Sequence, residues 1–240
     1  MKLRVLICSM AAGAALFAGE DPTTPTFGMI RVTDTGSTNT VIGVPWVDIA
    51  SADANVTLSN LVSTANLQAG DTVYLYEGNK WSGWSLTAGG IWDPLTTVNG
   101  GAIVSPTSAD AKRLARGTGM IIQRANSANP IYLCGRVASS GASATSIGAN
   151  SLTLIANPNP ANYSIPGSVG ANGDEIRVPQ NGGGLKIYQK VNDVWGTYRE
   201  TKTTKRGKDF ITQTWTEGCT LAPGMGAWYV SGASSTSIPW

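Results

Sequence analysis

The side chains that most enzymes use for proton and acyl transfer are thinly supplied in this sequence. Its 240 residues include no histidine, which excludes a Ser-His-Asp triad, a Cys-His nucleophile and any histidine metal site. Glycoside hydrolysis needs only two carboxylates, and Asp and Glu are available. The adjacent pair Asp174-Glu175, however, opens an expected strand. Neighbours in a strand point to opposite faces and do not converge on one substrate bond. The Gly-x-Gly pairs at 117–119 and 224–226 are followed by strand-like sequence, with no Gly-Lys-Ser/Thr. A phosphate cradle needs a helix N-terminus there. The residues assign no catalytic group, no cofactor and no metal.

Two residue types could still act by binding or cross-linking. Trp81, Trp84 and Trp92 lie close together among eight tryptophans. Exposed, they would offer ring faces to apolar sugar faces; buried, they would fill the thin core of a small β unit that has few phenylalanines. Both readings stand at this point. Cys134 and Cys219 are the cysteines outside the leader. In an oxidising compartment they are expected to form a bridge, worth ~4 kcal/mol on the chain-entropy argument. Two separate buried thiols are the alternative.

The leader is a targeting signal by pattern. Lys2 and Arg4 precede the apolar run Val5 to Phe17, and Ala18 or Gly19 offers a small residue for cleavage. Residues 1–19 therefore read as a secretory signal peptide, and the mature chain as extracellular or cell-surface. Acylation at Cys8 fits poorly, since bulky Ile7 precedes it. No later stretch is long and apolar enough for a membrane helix. The mature chain is neutral, which argues against nucleic acid as a partner.

That neutrality conceals a division. Residues 20–110 hold nine acids and two bases, a balance of −7, whereas 111–240 hold six acids and thirteen bases, a balance of +7. Asp48, Asp53 and Asp93 on one side, with Arg199, Lys202, Lys205, Arg206 and Lys208 on the other, could steer copies together head to tail. The basic run could equally meet an anionic surface polysaccharide or a membrane, or stay solvated.

The elements that would position these groups are strands. Phe27 to Thr33 alternates Phe27 and Met29 against Ile30 and Val32. It is either the first strand of the chain's own sheet or one donated to a neighbour. Thr72 to Tyr76, the turn Glu77–Lys80 and Trp81 to Ser85 form a hairpin. Asn55–Val62 reads as a strand or short helix, and Ser108–Ala115 as one or two helical turns.

Landmarks then repeat. Leu114-Ala115-Arg116-Gly117-Thr118-Gly119 recurs as Leu221-Ala222-Pro223-Gly224-Met225-Gly226, and Gly70-Asp71 recurs as Gly173-Asp174. The expected fold is all-β, with two tandem, duplicated small β-sandwich or barrel units and an N-terminal extension strand. The divisions are 20–39 for the extension, 40–137 for the first unit, 138–150 for a small-residue linker and 151–240 for the second unit.

This order of Gly-Asp, aromatic hairpin and Leu-x-x-Gly-x-Gly-aromatic resembles secreted bacterial surface-type proteins that repeat such a unit. The resemblance implies a secreted β protein and assigns no residue a role. The leading expectation is a structural subunit of an extracellular assembly, a filament or sheath formed by self-association. The alternative is a carbohydrate-binding or adhesive surface module using exposed Trp residues.

Overall fold

The computed structural model describes residues 27–32, 39–44, 56–61, 67–77, 80–98, 101–102, 108–109, 112–125, 130–136, 144–180, 184–205 and 208–240. The leader lies outside them. The described elements are strands apart from one four-residue helix. In the first half they are β1 (Phe27–Val32), β2 (Asn39–Gly43), β3 (Val56–Thr57), α1 (Leu58–Leu61), β4 (Thr72–Glu77), β5 (Lys80–Leu86) and β6 (Trp92–Pro94). After these come β7 (Thr97–Val98), β8 (Gly101–Ala102), β9 (Arg113–Leu114), β10 (Gly119–Gln123) and β11 (Ile131–Arg136). The second half has β12 (Ala144–Ile147), β13 (Leu152–Ala156), β14 (Tyr163–Ser164), β15 (Glu175–Pro179) and β16 (Leu185–Val191). It ends with β17 (Val194–Lys205), β18 (Lys208–Glu217), β19 (Thr220–Leu221), β20 (Gly226–Val230) and β21 (Thr236–Pro239).

Period-two sequence builds the large sheets. In β4, Val73 and Leu75 are buried while Tyr74 and Tyr76 are half-buried on the other face. In β20 the buried pair is Ala227 and Tyr229, and Trp228 between them faces the other way. The first large sheet has the order β2-β10-β4-β5-β6 and the second β13-β20-β15-β16-β17-β18. All described pairings are antiparallel, and none of these sheets closes on itself.

The two halves share one pairing scheme. In each, the first strand pairs with the last (β1 with β11, β12 with β21), and a short pair crosses beside the large sheet (β3 with β9, β14 with β19). Each half has its own core. One gathers Ile42, Val73, Trp84, Ile122 and Leu133, the other Ile155, Ile176, Trp195, Tyr229 and Ile238.

Several expectations change in detail. The strand Phe27–Val32 is paired inside its own chain, Phe27 opposite Arg136 and Val32 opposite Ile131. It occupies the place in the pairing scheme that β12 takes in the second half. The stretch 138–150, read as a linker, contains β12 at Ala144–Ile147. Over Ser108–Ala115 the described helical feature is one i→i−4 bond, Lys112 N–H to Ser108 O at 3.0 Å, before strand β9 begins. Asn55–Val62 supplies both of its alternatives, strand at Val56–Thr57 and helix at Leu58–Leu61.

The repeated glycine turns cross between the halves. Gly117 N–H donates to Val44 O within its own half (3.1 Å), while Gly117 O accepts from Ala156 N–H of the other half (3.0 Å). The second turn mirrors it: Gly224 N–H donates to Asn157 O (3.1 Å), and Gly224 O accepts from Gly43 N–H (3.0 Å). Single bridges Ile42↔Met225 and Thr118↔Ile155 repeat the same exchange. Close approach demands glycine here. A Cβ on Gly119 would sit 2.7 Å from Leu154 Cγ and 2.8 Å from Ile155 O, and one on Gly226 2.5 Å from Val41 Cγ1. The tyrosine-bearing outer face of the first sheet is therefore partly covered by the second half.

The Gly-Asp landmark joins its own turn to a distant stretch of chain. Asp71 accepts from Gln68 N–H (2.9 Å) and Ala125 N–H (2.7 Å), and Asp174 accepts from Ala171 N–H (2.9 Å) and Gly232 N–H (2.8 Å). Each buried carboxylate closes its own turn and fastens the chain leaving the motif strand. The third donor differs, Arg124 Nε at 3.0 Å for Asp71 and the Tyr229 hydroxyl at 2.7 Å for Asp174.

Candidate functional site

Where the two halves meet, four aromatic rings gather at the rim. Tyr74 and Tyr76 come from β4, Trp81 from β5 and Trp228 from β20. Tyr76 and Trp81 are directly opposite across the hairpin, with ring centroids 4.9 Å apart. Trp228 lies 5.5 Å from Tyr76 and 5.8 Å from Trp81, and Tyr74 lies 6.3 Å from Trp81. Interplanar angles run from 60° to 86°, the edge-to-face geometry favoured by the ring quadrupoles. All four side chains are half-buried, so the cluster is a ridged apolar surface in contact with solvent.

Polar groups fix the rim. The Tyr74 hydroxyl donates to Gln123 Oε1 at 3.1 Å, and Thr72 Oγ1 donates to the same oxygen at 3.3 Å. Arg177 is the β15 neighbour of Trp228, and its guanidinium lies 2.7 Å from Glu175. Partial burial works against ionisation of Glu175. Hydrogen bonds from Gln189 and Arg177, together with the Arg177 charge, outweigh it and hold the carboxyl below its usual range. That cation is already engaged beside the rings.

Strand register shows that the rim is not a requirement of the fold. Tyr74 opposite Ile121 corresponds to Arg177 opposite Trp228, and Tyr76 opposite Trp81 corresponds to Pro179 opposite Leu185. One half therefore builds the same sheet with Arg177, Pro179 and Leu185 where the other places Tyr74, Tyr76 and Trp81.

Of the three tryptophans read as candidates, the structure keeps one. Trp81 is in the rim; Trp84 and Trp92 are core residues, fully and almost fully buried. Trp84 shares the inner face of β5 with Leu86, and Trp92 stands opposite Leu86 on β6. Trp81, three residues before Trp84, falls on the other face, a parity that the hairpin register alone would have shown. Tyr74, Tyr76 and Trp228 were missed because their convergence depends on the halves meeting across 150 residues of chain.

The other expected groups are scattered. Cys219 is a free, buried thiol packed with Ile165, Leu221 and Ile238 in the second core, so the expected bridge to Cys134 is not formed in this structure. Cys134 belongs to β11 of the first half, opposite Met29, and its side chain is outside the described residues. Burial pushes the Cys219 thiol up to about 12, against a smaller opposing pull from Lys186. Asp93, Arg199, Lys202 and Lys208 are exposed. Asp48, Asp53 and Arg206 lie outside the described residues, as does the Lys205 side chain. On β1, Met29 is exposed, while the side chains of Phe27, Ile30 and Val32 are not described. Among the described residues there is no cluster of three potential metal-ligating side chains and no helix long and apolar enough to cross a membrane.

Compared with family models, with curated proteins and with solved structures, the chain finds no match.

Proposed function

We propose that this chain is a carbohydrate-binding or adhesive surface module whose ligand site is the rim formed by Tyr74, Tyr76, Trp81 and Trp228, carried on two tandem copies of one small β-sandwich unit. The observation that carries the reading is the difference between the halves. Two sheets with the same pairing scheme need no aromatic rim, yet the first half places three large rings, joined by Trp228 of the second, on a solvent-facing ridge. Rings of this kind bind apolar ligand faces through contact area, while the tyrosine hydroxyls and Gln123 supply hydrogen bonds at the edge. With Arg177 engaged by Glu175, the ligand class is a neutral polysaccharide. The chain works by binding and not by bond chemistry, outside the cell to which its leader directs it.

Affinity electrophoresis through gels containing neutral or acidic polysaccharides tests this. Retardation by a neutral polymer is expected, weakened roughly tenfold by either Trp81→Ala or Trp228→Ala, the order expected for losing one stacked aromatic. Mobility unchanged in every gel, or retardation that both variants retain, would refute it. A structural subunit of an extracellular assembly is the second reading, favoured by the exposed arm at the far end of the second sheet.

A further inference from the structure

That arm is the longest hairpin among the described residues. Strand β17 pairs with β16 over Val194–Gly196 and then leaves it, whereas pairing with β18 continues to Lys205↔Lys208. The outer eight pairs, from Tyr198↔Trp215 onward, form a ribbon about 25 Å long at the usual rise per residue. Every described side chain on it is exposed except Trp215, which is half-buried. A free two-stranded ribbon is marginally stable in water. This one also carries Phe210 and Ile211, 51% and 64% exposed, on its opposite faces.

The same chain leaves a matching surface uncovered. The face of β16 and β17 turned away from the core presents Leu185, Ile187, Val194 and Tyr198, each more than a third exposed. Tyr198 and Trp215 meet at 4.7 Å, their planes tilted by 59°, at the root of the arm, and a Cβ on Gly196 would meet Trp215 Cε2 at 2.5 Å, so the indole packs over Gly196. Charge is complementary too. From Arg199 to Asp209 the arm has five bases against two acids, and the sheet face carries exposed Glu217 beside Trp215. A polyanion would meet the bases and leave Ile211 in water; a second copy of this surface covers Ile211, which shares a face with Tyr198 and Trp215.

We propose that two copies of this chain exchange their β17–β18 arms about a two-fold axis, each arm lying across the Leu185–Ile187–Val194 face of the other. The contact is isologous and therefore closes as a dimer, unlike the head-to-tail contact of a filament. It is independent of the glycan reading, since the rim residues take no part in it.

Sedimentation velocity of the purified chain from micromolar to near-millimolar concentration is the test. The parent is expected to reach a dimer. A Phe210→Ser/Ile211→Ser arm variant and a Leu185→Ser/Ile187→Ser face variant should each associate roughly a hundredfold more weakly, from the apolar area lost. Circular dichroism of both should match the parent, since the replaced side chains are exposed. Mixing the two variants should yield heterodimer more readily than either forms homodimer, because one intact arm then meets one intact face. A parent that stays monomeric at the highest concentration overturns the proposal. So does a mixture no better than its components, or a monomer whose arm instead binds phosphatidylglycerol vesicles.

Discussion

Replacing Gly119 by alanine isolates the cost of the close approach between the halves. Its backbone is outside the left-handed region, so the substitution carries no dihedral strain, and the whole effect is steric. The added methyl would sit 2.7 Å from Leu154 Cγ, 2.8 Å from Ile155 O and 2.9 Å from Leu154 C. Two of those three are backbone atoms, which cannot rotate away as a flexible side chain would. Overpacking of this kind costs about 1–3 kcal/mol and more where the backbone must move, so ~3 kcal/mol is expected. Gly90 provides the opposite case, with φ +75° and nothing within 4 Å of its hypothetical Cβ. Gly90→Ala should cost only the left-handed penalty, ~1 kcal/mol. For a domain of this size the two correspond to about 6–12 °C and 2–4 °C in Tm. Urea and thermal unfolding of both variants measure the contrast. Near-UV circular dichroism should also change for Gly119→Ala, because parting the halves separates Trp81 from Trp228, now 5.8 Å apart. Gly119→Ala within 1 kcal/mol of the parent, or less disruptive than Gly90→Ala, would refute the reasoning.

Three further predictions concern buried groups. Asp174→Ala leaves Ala171 N–H, Gly232 N–H and the Tyr229 hydroxyl without their acceptor, and about 3–5 kcal/mol of stability should be lost in urea melts. The Tyr229 phenol is raised by burial first, then by its hydrogen bond to Asp174 and that carboxylate's charge. Above about pH 10 an unfolded tyrosine ionises while the folded one keeps its proton. The unfolded state then binds fewer protons, so stability should fall as pH rises past 10; Tyr229→Phe, less stable at neutral pH, should show a shallower fall. With its thiol raised to about 12, Cys219 should be inert to a thiol-directed disulfide reagent in the native protein and react only on unfolding. A Cys134→Ser background makes the count unambiguous, and rapid native reaction of Cys219 would contradict its burial.

The β character and the repeated turns were legible because they are local. Gly-Asp and Leu-Ala-x-Gly-x-Gly each mark a turn by adjacent residue types, although their bonds also reach distant chain, and Val73 and Leu75 against Tyr74 and Tyr76 is a plain two-residue alternation. What could not be read was long-range pairing. Phe27–Val32 finds its partner at Ile131–Arg136, and its counterpart Ala144–Ile147 shares no sequence pattern with it, lying instead in a run of small residues. The division of the tryptophans needed the β4–β5 register, which places Trp81 and Trp84 on opposite faces. The rim needed still more, since Trp228 reaches Trp81 only through the crossed turns.

Those crossed turns also set an order of events during synthesis. Gly43 lies early in the first half, yet its amide waits for Gly224 O, and Gly117 in the first half lies against Trp240 and Thr145. A nascent first half thus emerges with one turn open and the outer face of its sheet bare until nearly a further hundred residues have been made. Domains usually complete one at a time along the chain; here the earlier one is finished by the later. A chain arrested between the halves should therefore expose Tyr74, Tyr76 and Trp81 together, which makes the junction the point of greatest vulnerability to aggregation and protease while the protein is being born.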